Sequence, residues 1–147
     1  MNIKQSPLKN ISERIFQCAT CASSLHTITA LIELGAGLSL FCFPSTSVAL
    51  LLTEPLQGAS AFVVTRIGGA ALVALGVACC FARNDAHSQA SKGLIAAMLI
   101  YNFATVIVLT FAGIGLQMYG LLLWPGAIMH AVMGIWCLRC LQNRPSI

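Results

Sequence analysis

Residues 94–115, LIAAMLIYNFATVIVLTFAGIG, contain no charged side chain. A helix needs about 20 apolar residues to cross the hydrocarbon core of a bilayer, and this stretch is long enough. Similar apolar stretches lie at residues 23–43, 61–82 and 119–141. The whole chain is 8% charged, whereas soluble domains average about 25%. The sequence therefore predicts an all-α polytopic membrane protein, a single domain formed by a four-transmembrane-helix bundle.

The basic residues predict how this bundle is oriented. Seven of the eight Lys and Arg residues occupy three polar stretches: Lys4, Lys9, Arg14, then Arg83, Lys92, then Arg139, Arg144. The connections at 44–60 and 115–120 contain none. Cytoplasmic loops retain positive charge, so both termini are expected inside, in a cell inner membrane. The charges are dispersed along that face, which favours the lipid bilayer and not nucleic acid as the partner.

Four polar residues interrupt the predicted spans: Glu33, Arg66, Asn102 and His130. A charge near the bilayer centre costs on the order of 3 kcal/mol on insertion scales, so each is expected to face the bundle interior. At about 1.5 Å per residue, Glu33 and His130 lie roughly 15 and 16 Å below the outer helix ends, Arg66 about 8 Å and Asn102 about 20 Å. Three interpretations stay open: a structural ion pair of Glu33 with Arg66, a titrating or ligand-responsive pocket, or an Arg66 that turns outward.

Small residues accompany these polar positions at helical spacing. Gly126, His130 and Gly134 follow one another at four-residue intervals, and Gly69 and Gly76 lie on one stripe of the second span. Such stripes let membrane helices pack closely. They are compatible with packing inside one chain, with a homodimer or with a membrane-protein partner.

Six of the seven cysteines are expected near the cytoplasmic helix ends: Cys18, Cys21, Cys79, Cys80, Cys137 and Cys140. The cytosol is reducing, which argues against structural disulfides there. The two Cys-x-x-Cys pairs could hold a soft metal ion or act as redox pairs. Free cysteine is also a small apolar residue that fills helix interfaces. No zinc-type set of further ligands follows, so no cofactor is predicted.

Two segments lie outside the spans. Residues 10–21 alternate Ile11, Ile15 and Phe16 with polar residues, which is typical of an amphipathic helix on the inner leaflet or of the start of the first span. The apolar run 48–52 is too short to cross a bilayer. It is expected to form a cap or a re-entrant turn at the outer helix ends.

The motifs that carry enzymatic chemistry are missing from the sequence. It contains no phosphate-binding Gly loop, no His-Glu-x-x-His and no Gly-x-Ser-x-Gly. Of the four acidic residues, only Glu33 lies within a predicted span, so a carboxylate-dependent mechanism would rest on it almost alone. The sequence therefore favours a non-enzymatic role.

Part of the chain resembles a group of small bacterial membrane proteins. The residues that carry the resemblance are Arg66–Gly76 with Arg83-Asn84-Asp85 and Tyr101-Asn102, then Leu123–Gly126 with His130-Ala131 and Trp136-Cys137. They are similar to four-helix inner-membrane proteins of unknown function and, through a few residues at the start of the second span, to the DoxX-like group. This resemblance implies a fold and no activity.

A second resemblance rests on Glu33 alone. Small multidrug-resistance exporters also have four helices and a membrane-embedded Glu in the first span, which implies exchange of protons for cations. This chain departs from them in its longer first outer loop and in Arg66. We therefore expect an accessory or ligand-binding membrane protein organised around the Glu/Arg/Asn/His cluster. The alternative is a small transporter, either of soft metal ions through the inner cysteines or proton-coupled through Glu33.

Overall fold

The computed structural model describes the backbone of residues 7–86 and 88–142, and the side chains of residues 20–86 and 88–142. Every regular element in this part of the chain is helical, in agreement with the predicted all-α class. The elements are α1 (Pro7–Cys42), α2 (Pro44–Leu52), α3 (Ala59–Ala82), α4 (Gln89–Thr110) with a π-helical turn at Phe111–Gly115, and α5 (Leu123–Gln142).

Local sequence explains several of these helix ends. Pro44 stands at the first position of α2, where its missing N–H would have no helical partner. Ser88 caps α4, since its hydroxyl accepts the Ser91 N–H at 3.0 Å. The π turn closes where the Leu116 N–H donates to the Phe111 carbonyl at 3.1 Å.

Three helices in the described chain are long and apolar enough to cross a membrane: Thr20–Cys42, Ala59–Ala82 and Gln89–Gly115. The prediction of four such helices is confirmed only for these three. The fourth predicted span coincides with α5, which is 20 residues long but carries His130 and Arg139 and is less apolar. Large aliphatic and aromatic side chains are exposed along all four long helices, as expected of surfaces that face lipid chains.

The first hairpin joins α1 to α3 through backbone contact at glycines. A Cβ placed on Gly37 would lie 2.7 Å from the Gly69 carbonyl oxygen, and one on Gly76 would lie 2.8 Å from Leu34 Cγ. Such distances leave no room for a side chain, so the two helices touch along the glycine stripe predicted for α3. Small residues bring membrane helices together in this way.

The second hairpin pairs α4 with α5, and it meets the first hairpin along a boundary that we call the seam. At one end of the seam the Leu122 N–H donates to the Leu50 carbonyl at 2.9 Å, and Gly120 lies directly against the Leu51 carbonyl. At the other end a disulfide joins Cys21 of α1 to Cys140 of α5. The α1–α5 and α3–α4 boundaries both involve few close backbone contacts compared with those within each hairpin.

The two segments outside the predicted spans are both helical. From Pro7 the backbone of residues 10–21 continues into the first span as one helix, so a separate surface helix there is wrong; most of its side chains lie outside the described residues. The apolar run 48–52 forms the second half of α2. This short helix packs on α1, α3 and α5, as a cap at this end of the bundle would.

Candidate functional site

Glu33 is the buried carboxyl of the seam. It lies near the middle of the apolar part of α1, and only 3% of its surface is exposed. The Tyr101 hydroxyl of α4 meets the carboxyl across the seam as a hydrogen-bonding group. The thiol of Cys79 on α3 is within electrostatic reach of the same carboxyl. Glu33 is therefore enclosed by groups from both hairpins.

Polar contacts continue from Tyr101 into the second hairpin. Its ring meets the His130 ring edge-on, with the ring centroids 5.5 Å apart. His130 Nδ1 lies 2.8 Å from Asn102 Oδ1, and the Asn102 amide also donates to the Met98 carbonyl at 2.8 Å. Asn102 is 1% exposed. The two residues that the sequence placed on separate spans are thus in direct contact.

Two further polar residues of α1 share the face that carries Glu33. His26, Thr29 and Glu33 follow at helical spacing, and all three are buried. His26 Nε2 lies 2.9 Å from the Ser91 hydroxyl at the start of α4, which forms a second polar link across the seam. The Thr29 hydroxyl has no hydrogen-bond partner among the described residues.

Arg66 is not part of this cluster. It is exposed on α3, and the predicted pairing with Glu33 does not form. The helical register is the reason. Gly76 packs against Leu34, so Glu33 is level with that turn of α3, whereas Arg66 lies about 15 Å nearer the α2 end. This position agrees with the alternative in which Arg66 turns outward, where its long side chain can reach the polar interface.

The cysteines differ from the prediction at one essential point. A disulfide joins Cys21 to Cys140, with the Cα atoms 6.2 Å apart, although no disulfide was expected at this end of the helices. Cys79 and Cys137 are free and fully buried, and Cys80 is free and partly buried. Cys18 lies outside the residues whose side chains the structure describes.

A metal centre does not form from these cysteines in the described part of the chain. No group of three or more His, Cys, Asp or Glu side chains there is arranged to hold a metal ion. The buried thiols instead belong to the apolar core, together with Met98 and Met133. The helices bring them together as packing groups, because free cysteine behaves as a small apolar residue.

Tyr101 and His26 are the residues of the seam that sequence reasoning missed. His26 could have been found, because it shares the helical spacing of Thr29 and Glu33 on α1. Tyr101 gave a weaker signal, since a tyrosine in an apolar helix is ordinary and the neighbouring Asn102 was the more polar of the two.

Comparison with known proteins does not place the chain in a family. No family model matches the chain, and no curated protein or solved structure is detectably similar to it.

Proposed function

We propose that this chain is a small, non-enzymatic protein of a bacterial inner membrane that binds a cationic ligand or a proton at Glu33. The proposal includes α5 as a fourth span, both termini in the cytosol, and a place among the small four-helix membrane proteins that the sequence resembles. A homodimer or a membrane-protein partner is compatible with it. The residues that support the proposal lie in the seam.

One observation supports the binding role most directly. Glu33 is 3% exposed, and the side-chain group that meets its carboxyl is the neutral Tyr101 hydroxyl. Burying an ionised carboxylate without a cation is expensive, by several kcal/mol even after the protein relaxes. The carboxyl must therefore carry a proton or hold a positively charged group. Polar residues with this property inside a membrane are commonly functional.

The surroundings of Glu33 define what such a ligand would meet. Tyr101 offers a hydroxyl, Thr29 lies one turn away with an unpartnered hydroxyl, and His130 closes the far side of Tyr101. A compact organic cation with at least one N–H donor could bind the carboxylate and the threonine oxygen together. Apolar helix faces would accommodate the rest of it.

Proton-coupled transport is the second candidate, and the position of Glu33 favours it over soft-metal transport. The carboxyl lies buried between the two hairpins, so a change in its protonation can alter how they meet. The cysteines favour metal transport less, since the described ones form no metal-binding group and two of them are joined in a disulfide.

The test compares Glu33→Gln with Glu54→Gln, which makes the same change at an exposed position. Binding of a lipophilic primary ammonium or guanidinium cation to the detergent-purified protein is measured by calorimetry between pH 5 and 9. We expect binding by the wild type and by Glu54→Gln, weaker at low pH because protons compete for the carboxylate, and none by Glu33→Gln.

Two results would redirect the proposal. If Glu33→Gln and Glu54→Gln bind equally, the cation site is elsewhere. If Glu33→Gln fails to fold or to assemble with a partner, the accessory role is favoured over ligand binding. Uptake into proteoliposomes under a pH gradient then separates binding from transport.

A further inference from the structure

The disulfide between Cys21 and Cys140 connects the two hairpins. Cys21 belongs to α1 and Cys140 to α5, 119 residues apart in the chain. The other contacts across this half of the seam are an apolar core shared by both hairpins and single polar pairs, among them His26 with Ser91 and Glu33 with Tyr101. The two hairpins are therefore covalently joined at this end only while Cys21 and Cys140 are oxidised.

The same end of the bundle carries the positive charge. Arg83 and Lys92 flank the α3–α4 connection, and Arg139 is adjacent to Cys140; all three are exposed. The opposite end carries the exposed Glu54 in the α2–α3 connection. Positive charge is retained on the cytoplasmic side, which places this disulfide in a reducing compartment. Disulfides found there are usually transient and serve in catalysis or redox sensing.

We propose that Cys21 and Cys140 form a redox-sensing site at the cytosolic end of the bundle, whose oxidation locks the seam and whose reduction releases it. The proposal goes beyond the function proposed above. It uses the orientation of the helices stated there, but it does not involve Glu33 or any ligand.

The exposure of the two sulfur atoms determines how the bond is reduced. Cys21 is partly exposed, whereas Cys140 is fully buried. A thiolate of a soluble dithiol attacks the Cys21 sulfur, which forms a mixed disulfide and releases the Cys140 thiolate. The second thiol of the dithiol then displaces Cys21, so that two electrons pass to the pair and both thiolates take up protons. Glutathione disulfide, as the oxidant, re-forms the Cys21–Cys140 bond in two exchanges through a mixed disulfide and leaves as two molecules of glutathione.

Trp136 of α5 contacts the disulfide at Cys21. Its indole Nε1–H donates to Cys21 Sγ at 3.3 Å. A hydrogen bond to an ionised acceptor is stronger than one to a neutral acceptor, so the contact favours the Cys21 thiolate over the disulfide sulfur. Trp136 thereby assists release of Cys21, and its fluorescence should respond to the bond that lies next to it.

The experiment uses the full chain with Trp124→Phe, which removes one of the two tryptophans and leaves Trp136. The purified protein in lipid nanodiscs is equilibrated with mixtures of glutathione and glutathione disulfide. Mass-tag alkylation with peptide mapping identifies the free thiols, and Trp136 fluorescence reports on the disulfide next to it. The midpoint of thermal unfolding measures the stability of the oxidised and the reduced protein. Cys42→Ser, at an exposed free cysteine, serves as the control, with Cys21→Ser and Cys140→Ser as test variants.

We expect reversible loss of two thiols, mapped to Cys21 and Cys140, with a matching change in Trp136 fluorescence. Oxidation should raise the midpoint of unfolding by about 5 °C or more, in Cys42→Ser as in the wild type but in neither test variant. Because reduced wild type is itself the reference, the result does not require the serine variants to fold. Glu33→Gln should still lose the same two thiols, at Cys21 and Cys140, which keeps this test separate from that of ligand binding.

Three results would overturn the proposal. The first is a disulfide that maps to Cys137 and Cys140 instead of Cys21 and Cys140. The second is an unfolding midpoint that does not change between the oxidised and the reduced protein. The third is a Cys21–Cys140 bond that stays intact in a large excess of glutathione, which would make it a permanent structural disulfide.

Discussion

The α1–α3 interface and the seam hold helices together by different means. In the α1–α3 interface, glycines bring two backbones into contact over several turns, and the packing leaves no space for side chains at Gly37 and Gly69. In the seam, an apolar core shared by the two hairpins is supplemented by separate links, among them the Glu33–Tyr101 pair and the Cys21–Cys140 disulfide. Close packing distributes stability over many atoms, whereas single links can be made and broken one at a time. The first region is suited to be a scaffold and the second to be a site of change.

The strongest test of this contrast inserts a side chain into the glycine contact. Gly69→Leu should destabilise the protein by about 3 kcal/mol or more, because overpacking must push α1 and α3 apart. The matched control is Gly68→Leu, one residue earlier, where an added Cβ meets nothing within 4 Å. That variant should be neutral or slightly stabilised, since glycine is a poor helix former. Thermal unfolding in detergent measures both, and equal effects would contradict the glycine contact.

Removing the Asn102 amide tests the polar side of the comparison. Asn102→Leu leaves the partly buried His130 Nδ1 without the partner now 2.8 Å away, and an unsatisfied group costs up to about 1–3 kcal/mol when it is fully buried. Asn84→Leu, at an exposed position, should change the free energy of unfolding by less than about 0.5 kcal/mol. The double variant with His130→Leu should cost less than the sum of the two single ones, since both partners are then gone. Strict additivity would show that the pair is not coupled.

The link across the seam between Tyr101 and Glu33 should have a smaller effect. Tyr101→Phe removes only the hydroxyl, so the expected loss is about 1 kcal/mol. Tyr119→Phe is the control, because that hydroxyl is exposed and bonds to Gln117 nearby in the chain. The loss for Tyr101→Phe should shrink when Glu33 is already Leu, because the group that meets the hydroxyl is then absent. An equal loss in both backgrounds would mean that the hydroxyl acts through another partner.

The sequence predicted the helices better than it predicted the contacts between them. Apolar length gave the all-α class and three apolar helices directly, because the bilayer thickness imposes the length of each span. The predicted fourth span, α5, is not confirmed for a physical reason: His130 and Arg139 reduce its apolarity, and composition alone does not say whether such residues are shielded. The glycine stripe of α3 was also readable, since only small residues allow such close approach.

The pairing of Glu33 with Arg66 illustrates what depth counting cannot give. Both residues were assigned depths from the ends of their spans, but the register of α1 against α3 is set by which glycines meet. Gly76 at the level of Leu34 moves Arg66 away from Glu33 by about two to three turns. The disulfide was missed for two reasons. A reducing cytosol argued against it, and the sequence shows Cys21 and Cys140 near helix ends but not that α1 and α5 are neighbours there.

The smallest expected effect is at Thr29, where the seam holds a buried hydroxyl without a described partner. Thr29→Val replaces that hydroxyl by a methyl group of similar size. Since the hydroxyl gains no hydrogen bond in exchange for its lost hydration, the variant should be as stable as the wild type or more stable by up to about 1 kcal/mol. Thermal unfolding without ligand, at fixed detergent concentration, is the measurement.

Thr29→Ser provides the opposite change at the same position, because it keeps the hydroxyl and removes the buried methyl group. It should lose about 1 kcal/mol through the small cavity that results. The expected order of stability is therefore Val, then Thr, then Ser. A loss of more than about 1 kcal/mol in Thr29→Val would mean that the hydroxyl is bonded within the folded protein. Unchanged stability combined with weaker cation binding would instead make Thr29 part of the Glu33 site, because a group that contributes nothing to folding would then contribute to the ligand.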